Sequence, residues 1–348
     1  HDARGQENEE EQAMVRYVLK RLLQGIFVLF GVSIMIFVLS RVVPGDPGRL
    51  ALGPRATQEA VDELNHQLYM DKPLPVQYAC WIRDIFKGDL GISIVTKRSV
   101  SQDVAQFLPA TLELVLVAGV FMVCGALLLG TLAARFKDSF VDGLVRVMSY
   151  TGIALPSFVV SILFMLLFGH VWPVIPVLGR LSGGITPPAD ITGLYILDGL
   201  LTGRPAVAWN AFLHLILPAL ALAFGGMFQD ARLLRNALTE NAEKEYMQVS
   251  KSYGLPRRKL MNKYLMKSSS ASVVTVMGMD FAVLVGNAFL VEKVFNWPGV
   301  SRYGMNAMLN KDLNAICAVV MIIGIVFLIV NLIVDLIIAA IDPRIRLS

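Results

Sequence analysis

The sequence predicts an all-α integral membrane protein with six transmembrane helices and both termini on the cytoplasmic side. Three observations predict it. The composition is 55% hydrophobic with only 17% charged residues, against about 25% charged in soluble domains, and mean hydropathy is +0.60. Six apolar runs each approach the ~20 residues that one membrane crossing needs. Lys and Arg gather in alternate segments between those runs, which marks the cytoplasmic face; the eight from Arg41 to Arg98 do not count against it, because loops longer than ~60 residues translocate largely regardless of charge. The net charge of +4 is modest and unevenly placed, so nucleic acid is not an expected partner.

Residues 1–13 are polar, with Glu7, Glu9, Glu10 and Glu11 close together. They show no apolar period and read as a disordered extension or a cloning remnant, with Met14 as the natural start. Residues 14–348 read as a single transmembrane domain. Arg16, Lys20 and Arg21 precede the first apolar run, Leu22 to Leu39. It is too long for a signal peptide, and no small-residue cleavage site follows. The interval 41–108 reads as a sizeable extracytoplasmic loop. Pro44-Gly45-Asp46-Pro47 breaks the first helix. Thr57 can cap a short helix carrying Ala60, Val61, Leu64 and Leu68. His66 stands alone and reads as a surface residue.

The second run is Leu112 to Ala134, followed by Arg135, Lys137 and Arg146. The third, Val147 to His170, contains Pro156, which a spanning helix tolerates where neighbours satisfy the freed carbonyl. Trp172 to Asn210 is polar with only Arg180 and Arg204 as basic residues, which suits the outside. The fourth run is Ala211 to Met227, the fifth Ala271 to Val291, and the sixth Ala315 to Ile341. Between the fourth and fifth lies 231–267, which holds Arg232, Arg235, Lys244, Lys251, Arg257, Arg258, Lys259, Lys263 and Lys267. It reads as a cytoplasmic loop. Within it Tyr246, Val249, Ser250 and Tyr253 recur at helical spacing and share one face. Gly254 and then Pro256 supply a stop. A short helix with a small-plus-aromatic face suits docking into a groove of a partner protein.

Chemistry of other kinds is missing from the sequence. There is no phosphate-binding Gly-rich loop, no His-Glu-x-x-His, no zinc spacing and no nucleophile elbow. Cys80, Cys124 and Cys317 have no ligand spacing. No catalytic residue and no metal site is expected. An intramembrane enzyme would need a convergent acid/base or metal set. A self-sufficient secondary transporter or channel would show inverted repeats and paired broken helices, and no convincing repeat is found.

The 231–267 stretch resembles the cytoplasmic coupling loop of binding-protein-dependent ABC permeases. In the peptide and nickel branch that loop reads Asp/Glu-Tyr-Val-x-x-Ala-x-x-x-Gly-Leu. Glu245, Tyr246, Gly254 and Leu255 match, with Met247 for Val and Ser250 for Ala. Leu52 to Thr57, Pro73 to Gln77, Gly88 to Gly91, Phe295-Asn-Trp-Pro-Gly299, Asn331-x-x-x-Asp335 and Asp342 to Arg346 extend the resemblance over Met14 to Ser348. It is closest to the first of the two permease subunits. The resemblance implies the permease fold of type I ABC importers in the bacterial inner membrane. It also implies a second homologous permease, two ABC ATPase subunits that carry the ATP and Mg, and an extracytoplasmic solute-binding protein. This chain would bind no cofactor. The implied solutes are di- or oligopeptides, with nickel chelates, glutathione and glycosides as alternatives within the branch. Residues Glu245 to Leu255 would couple the ATPases to the membrane helices.

Asp280 lies midway along the fifth run, where relatives in the peptide branch commonly carry Gln. A carboxylate facing lipid at mid-bilayer would cost roughly 2.5–3.5 kcal/mol on insertion scales. It should face the bundle interior or the pathway, with Asn287 on the same face. Asp280, Asn287 and Pro156 are the pathway candidates, and Asp280 would favour solutes with a positive group. The alternative is that Asp280 hydrogen-bonds a neighbouring helix or the partner permease.

Overall fold

The computed structural model describes residues 2–42, 47–53, 55–67, 69–256 and 259–341. Among them the regular structure is all helix, apart from one isolated bridge between Ile92 and Ser99, and turns and irregular segments join the helices. Five helices are long and apolar enough to cross a membrane, and a bent helix pair supplies a sixth crossing if counted as one span. The proline turn at Pro44 to Asp46, Leu68, Arg257, Arg258 and the tail from Asp342 lie outside the described residues.

Helix α1, Asp2–Val42, includes residues 2–13, where the composition predicts disorder. That segment is rich in Glu and Gln, which are good helix formers, and it extends an existing helix without a new nucleus. Its membrane portion touches little of the bundle: Leu23, Ile26, Phe27 and Phe30 are exposed, as suits a lipid-facing helix. The short helices α2, Pro47–Leu52, and α3, Gln58–Gln67, follow. The Thr57 hydroxyl accepts the Ala60 N–H at 3.3 Å, the expected cap, and Val61 is fully buried. His66 is exposed, 3.7 Å from Asp71. Helix α4, Leu74–Phe86, lies on α1 through Tyr78 and Trp81, whose rings pack on Phe37. The Tyr78 and Ser33 hydroxyls are 2.7 Å apart.

Helix α5, Val100–Arg135, starts earlier than the apolar run and carries Pro109 without breaking. The third crossing is not one helix. Helix α6, Phe140–Ala154, and α7, Ser157–Leu166, continued by a π turn over Leu167–Val171, meet at 110°. Proline disfavours the helical region for the residue before it, and Leu155 accordingly sits at φ −94, ψ 117. The helix is not continued through this point, so the expected straight crossing through Pro156 becomes a corner.

After the small helix α8, Tyr195–Leu201, helix α9 runs from Pro205 to Glu243. Its 39 residues span about 58 Å at 1.5 Å each, roughly twice the hydrocarbon thickness. The first third of the stretch read as a loop, 231–243, is therefore the end of this helix. Helix α11, Met266–Val294, follows a π turn over Leu260–Leu265; α12 is Val300–Leu309 and α13 is Leu313–Ile341. Arg21 of α1 reaches Asp335 of α13 at 3.1 Å.

The core lies between α5 and α9, which share the most extensive interface. Both carry small residues along the seam: Ala110, Ala118, Ala126 and Ala133 face Ala219, Ala223 and Ala231, all buried. A Cβ on Gly130 would lie 2.6 Å from the Ala231 carbonyl oxygen, so only glycine admits this approach.

The end of the bundle that bears α8 is closed by buried polar groups. The Trp297 indole donates to the Ala110 carbonyl at 2.8 Å. Glu292, fully buried, accepts the Thr111 hydroxyl and the Arg302 N–H at the start of α12. Gly299 lies against the Glu292 carboxylate and leaves no room for a Cβ, which accounts for the Phe295 to Gly299 motif. Arg180 pairs with Glu113 and donates to the Gly193 carbonyl, with its guanidinium 3.5 Å from the Tyr195 ring centroid. Nearby, burial alone would raise the Asp198 carboxyl, but hydrogen bonds from Thr192, Gly193 and Ile191 outweigh it and hold the group below its usual range.

The Glu113–Arg180 pair gives a stability test. Both side chains are more than nine-tenths buried, and removing one partner of a buried pair costs about 3–5 kcal/mol. Arg180→Met lowers the thermal midpoint of the purified protein by several degrees. Lys137→Ala, which breaks the exposed pair with Glu243, leaves it unchanged. Equal midpoints for both variants would count against this account.

Candidate functional site

Two sets of residues carry the candidate functions, one at the far end of α9 and one about two-thirds of the way along it. At the far end α9 stops because Lys244 turns extended, at φ −66 and ψ 149. The chain restarts at once as α10, Glu245–Ser252. Met247 anchors this helix: it is 1% exposed, in one cluster with Leu234, Leu238, Leu260 and Leu265. Anchoring Met247 leaves the opposite face outward. Tyr246 is 45%, Val249 53% and Tyr253 82% exposed. Glu245 is exposed, Ser250 is half-buried, and the Ser250 hydroxyl donates to the Tyr246 carbonyl. Leu255 is half-buried against the Met247 cluster. Gly254 has φ +73, with open space where a Cβ would stand. The turn is closed to other residues by conformation and not by crowding.

The base of α10 is tied to its neighbours. The Tyr246 hydroxyl donates to Ser268 at 3.1 Å, and the Asn241 amide donates to the buried Ser269 hydroxyl at 3.0 Å. Beside it, Arg235 of α9 holds Asp142 of α6 through two nitrogens, at 2.9 and 2.7 Å. Asp142 is fully buried and also accepts the Asp138 N–H at 2.9 Å. The α5–α6 turn, α9 and α10 thus form one connected unit. Sequence reading missed Met247 as an anchor and missed the Asp142–Arg235 pair. The available signal was an apolar residue lying off the face shared by Tyr246 and Val249.

About two-thirds of the way along α9 lies the second set. Asp280 of α11 is half-buried, and its Oδ2 accepts the Gln229 amide at 3.3 Å. The next residue, Asp230, is fully buried, and its carboxyl lies against that of Asp280. No N–H or hydroxyl among the described residues reaches either Asp230 oxygen, and the one side-chain partner within hydrogen-bonding reach is the Asp280 carboxyl. Asn287 and Gly286 are exposed on α11 together with Met279 and Val283, on the side of the helix that Asp280 edges. A polar amide exposed at this depth fits a protein or water neighbour better than lipid. Pro156 is exposed, at the α6–α7 corner and not on α11. Asp280 and Asn287 are therefore brought onto one face; Pro156 stands on a separate element. Among the described residues no group of His, Cys, Asp and Glu has the arrangement of a metal site.

Comparison with known proteins places this arrangement. The pattern of the family described as binding-protein-dependent transport system inner membrane component matches residues 126–347, and that of its N-terminal companion matches 14–115. The chain is 37% identical over 321 residues to a probable D,D-dipeptide transport system permease protein, DdpB, of Escherichia coli, covering 92% of this chain and 94% of the relative. It is 31% identical to the dipeptide transport system permease protein DppB of Alkalihalophilus pseudofirmus, over 96% of this chain and all of the relative. It is 32% identical to the glutathione transport system permease protein GsiC of Salmonella typhimurium, over 96% and 99%. With its five apolar helices and one bent pair, this chain is a multi-pass protein of the bacterial inner membrane, and it belongs to the family of inner membrane components of binding-protein-dependent transport systems.

Proposed function

We propose that this chain is one of two permease subunits of an ABC importer for di- or oligopeptides, lining half of the pathway. The observation that carries the reading is α10: an exposed apolar and aromatic face held out on a buried Met247, at the end of a helix that crosses the membrane. A lone inter-helix loop has no need of such a face. Two ATPase subunits would each receive one coupling helix of the permease pair. ATP and Mg are bound there and not on this chain, which performs no catalysis. An extracytoplasmic solute-binding protein delivers the solute. The relatives' names favour peptides; because GsiC is a glutathione permease, glutathione is the second reading, itself a peptide.

In this reading both termini and α10 are cytoplasmic, and 41–108 together with α8 is extracytoplasmic. Residues 231–267 form the coupling region, its first part helical. ATP-driven closure of the ATPases moves α10 through Glu245, Tyr246, Val249, Ser250, Tyr253, Gly254 and Leu255, and alternating access follows. Asp280, Asn287 and Pro156 are the pathway residues. The exposed polar side chain of Asn287 and the corner at Pro156 support that placement, since irregular backbone at membrane depth belongs where it lines protein or water.

The orientation is tested with exposed positions in a variant whose Cys80, Cys124 and Cys317 are replaced by Ser. Lys87→Cys and Ala189→Cys react with an impermeant maleimide in intact cells; Ser252→Cys reacts only after the membrane is opened. External labelling of Ser252→Cys would reverse the whole topology. The coupling role is tested at Gly254. A β-branched residue at φ +73 is strained by ~1 kcal/mol or more. Gly254→Val should assemble at wild-type yield yet lose most of the ATPase stimulation by loaded binding protein. Full stimulation in a well-assembled complex would remove Gly254 from the coupling device.

A further inference from the structure

Among the described residues, Asp230 is a fully buried carboxyl with both oxygens lacking an N–H or hydroxyl donor. A buried polar group normally has a hydrogen-bond partner, and a buried charge normally has a counter-charge. The neighbour of Asp230 is a second carboxyl, Asp280, within hydrogen-bonding reach of it, and the Gln229 amide is the other side-chain partner of Asp280. The basic residues that follow on α9 are engaged elsewhere: Arg232 lies over the Tyr150 ring and Arg235 holds Asp142. From α6, Arg146 also faces Asp142, at 3.5 Å. From α13, Asp335 meets Arg21. No described cation thus serves the pair, although Asp280 is half-open on the face that carries Asn287.

We infer that Asp230 and Asp280 form a binding site for one cationic nitrogen group of the transported solute, with Gln229 orienting the Asp280 carboxylate. Asp280 makes the direct contact from the open face, and Asp230 supplies the second acceptor from behind it. An ammonium or guanidinium brings both the charge and the donors that these oxygens lack. The site therefore selects solutes by charge: a basic side chain, or an amino terminus presented first, is favoured over an acidic one. This rests on reading the chain as half of a peptide pathway.

The test uses the complete importer, reconstituted in vesicles with its ATPases and binding protein. The probes are lysyl-alanine, alanyl-alanine and alanyl-glutamate. For each probe the uptake rate of a variant is divided by that of the wild type, so that selection by the binding protein cancels. Asp280→Asn and Asp230→Asn are each expected to reduce lysyl-alanine uptake about tenfold relative to alanyl-glutamate, since a close charge contact is worth about that much. The double variant should be no worse than either single one, because the two carboxyls act as a unit. Loss of the preference in Asp280→Asn but not in Asp230→Asn would overturn the paired site while leaving the pathway reading intact. Unchanged preference in both would overturn the site as well. So would failure of Asp230→Asn to assemble, because that outcome assigns the buried carboxyl a structural partner. A wild-type complex without binding-protein-stimulated uptake of any probe would instead defeat the peptide-importer reading.

Discussion

The close approach of α5 and α9 is the constraint on which the rest of the structure depends. In a bilayer, lipid tails are as apolar as leucine, so helices gain little from burying apolar surface on one another. They gain from tight packing, and tight packing needs small side chains. The alanines of α5 and α9, with Gly130 against the Ala231 carbonyl, give that contact along much of the membrane depth. The other crossings arrange themselves around the pair. α6 and α7 pack on α9, with Ser149 of α6 donating to the Phe228 carbonyl at 2.6 Å, and α11 packs on α9 and α5. α1, which packs chiefly on α13, is left facing lipid.

Such a seam cannot by itself specify a unique arrangement, because alanine meets alanine equally well in several registers. Buried polar contacts at both ends remove that freedom. At one end Trp297, Thr111, Glu292 and Arg180 join α5, α11, α12 and the segment before α8. At the other, Asp142 and Arg235 join α6 to α9. A shift of one residue along the seam would strand a carboxylate at each end, at a cost of several kcal/mol each. Specificity thus resides where the membrane ends, and contact area resides within it.

This division also decides what could be read in the sequence. Apolar runs mark the crossings because they respond to the membrane itself, and five of the six stand as helices long and apolar enough to cross, the other as a bent pair. The shared face of Tyr246, Val249 and Ser250 was legible because it follows helical spacing; Tyr253 lies just past the end of α10. Three features were not. Residues 231–243 look like a loop because they are polar, yet a helix continuing beyond the bilayer is polar for the same reason. The corner at Leu155–Pro156 depends on whether neighbours restore the helix, and composition does not carry that information. Met247, Arg235 and Asp142 act through contacts 9 to 93 positions away in the chain. The carboxyl of Asp280 stood out as a charge in an apolar run; its companion Asp230 did not, because it lies where the apolar run gives way to the basic stretch.

The length of α9 joins the two candidate sites mechanically. Asp230 and Glu243 lie on one unbroken helix, about 20 Å apart at 1.5 Å per residue. α10 begins two residues after Glu243, with only the extended Lys244 between them. Its base is fastened to α9 and α11 through Met247, Asn241, Ser268 and Ser269. A displacement of α10 therefore has no flexible loop in which to dissipate. It reaches α9 as a tilt or a shift, and α9 carries Gln229 and Asp230 while α11 carries Asp280. Any relative motion of those two helices changes the spacing of the carboxyl pair. In the proposed reading, the carboxyl pair thus sits at a contact between α9 and α11 that motion of α10 would alter.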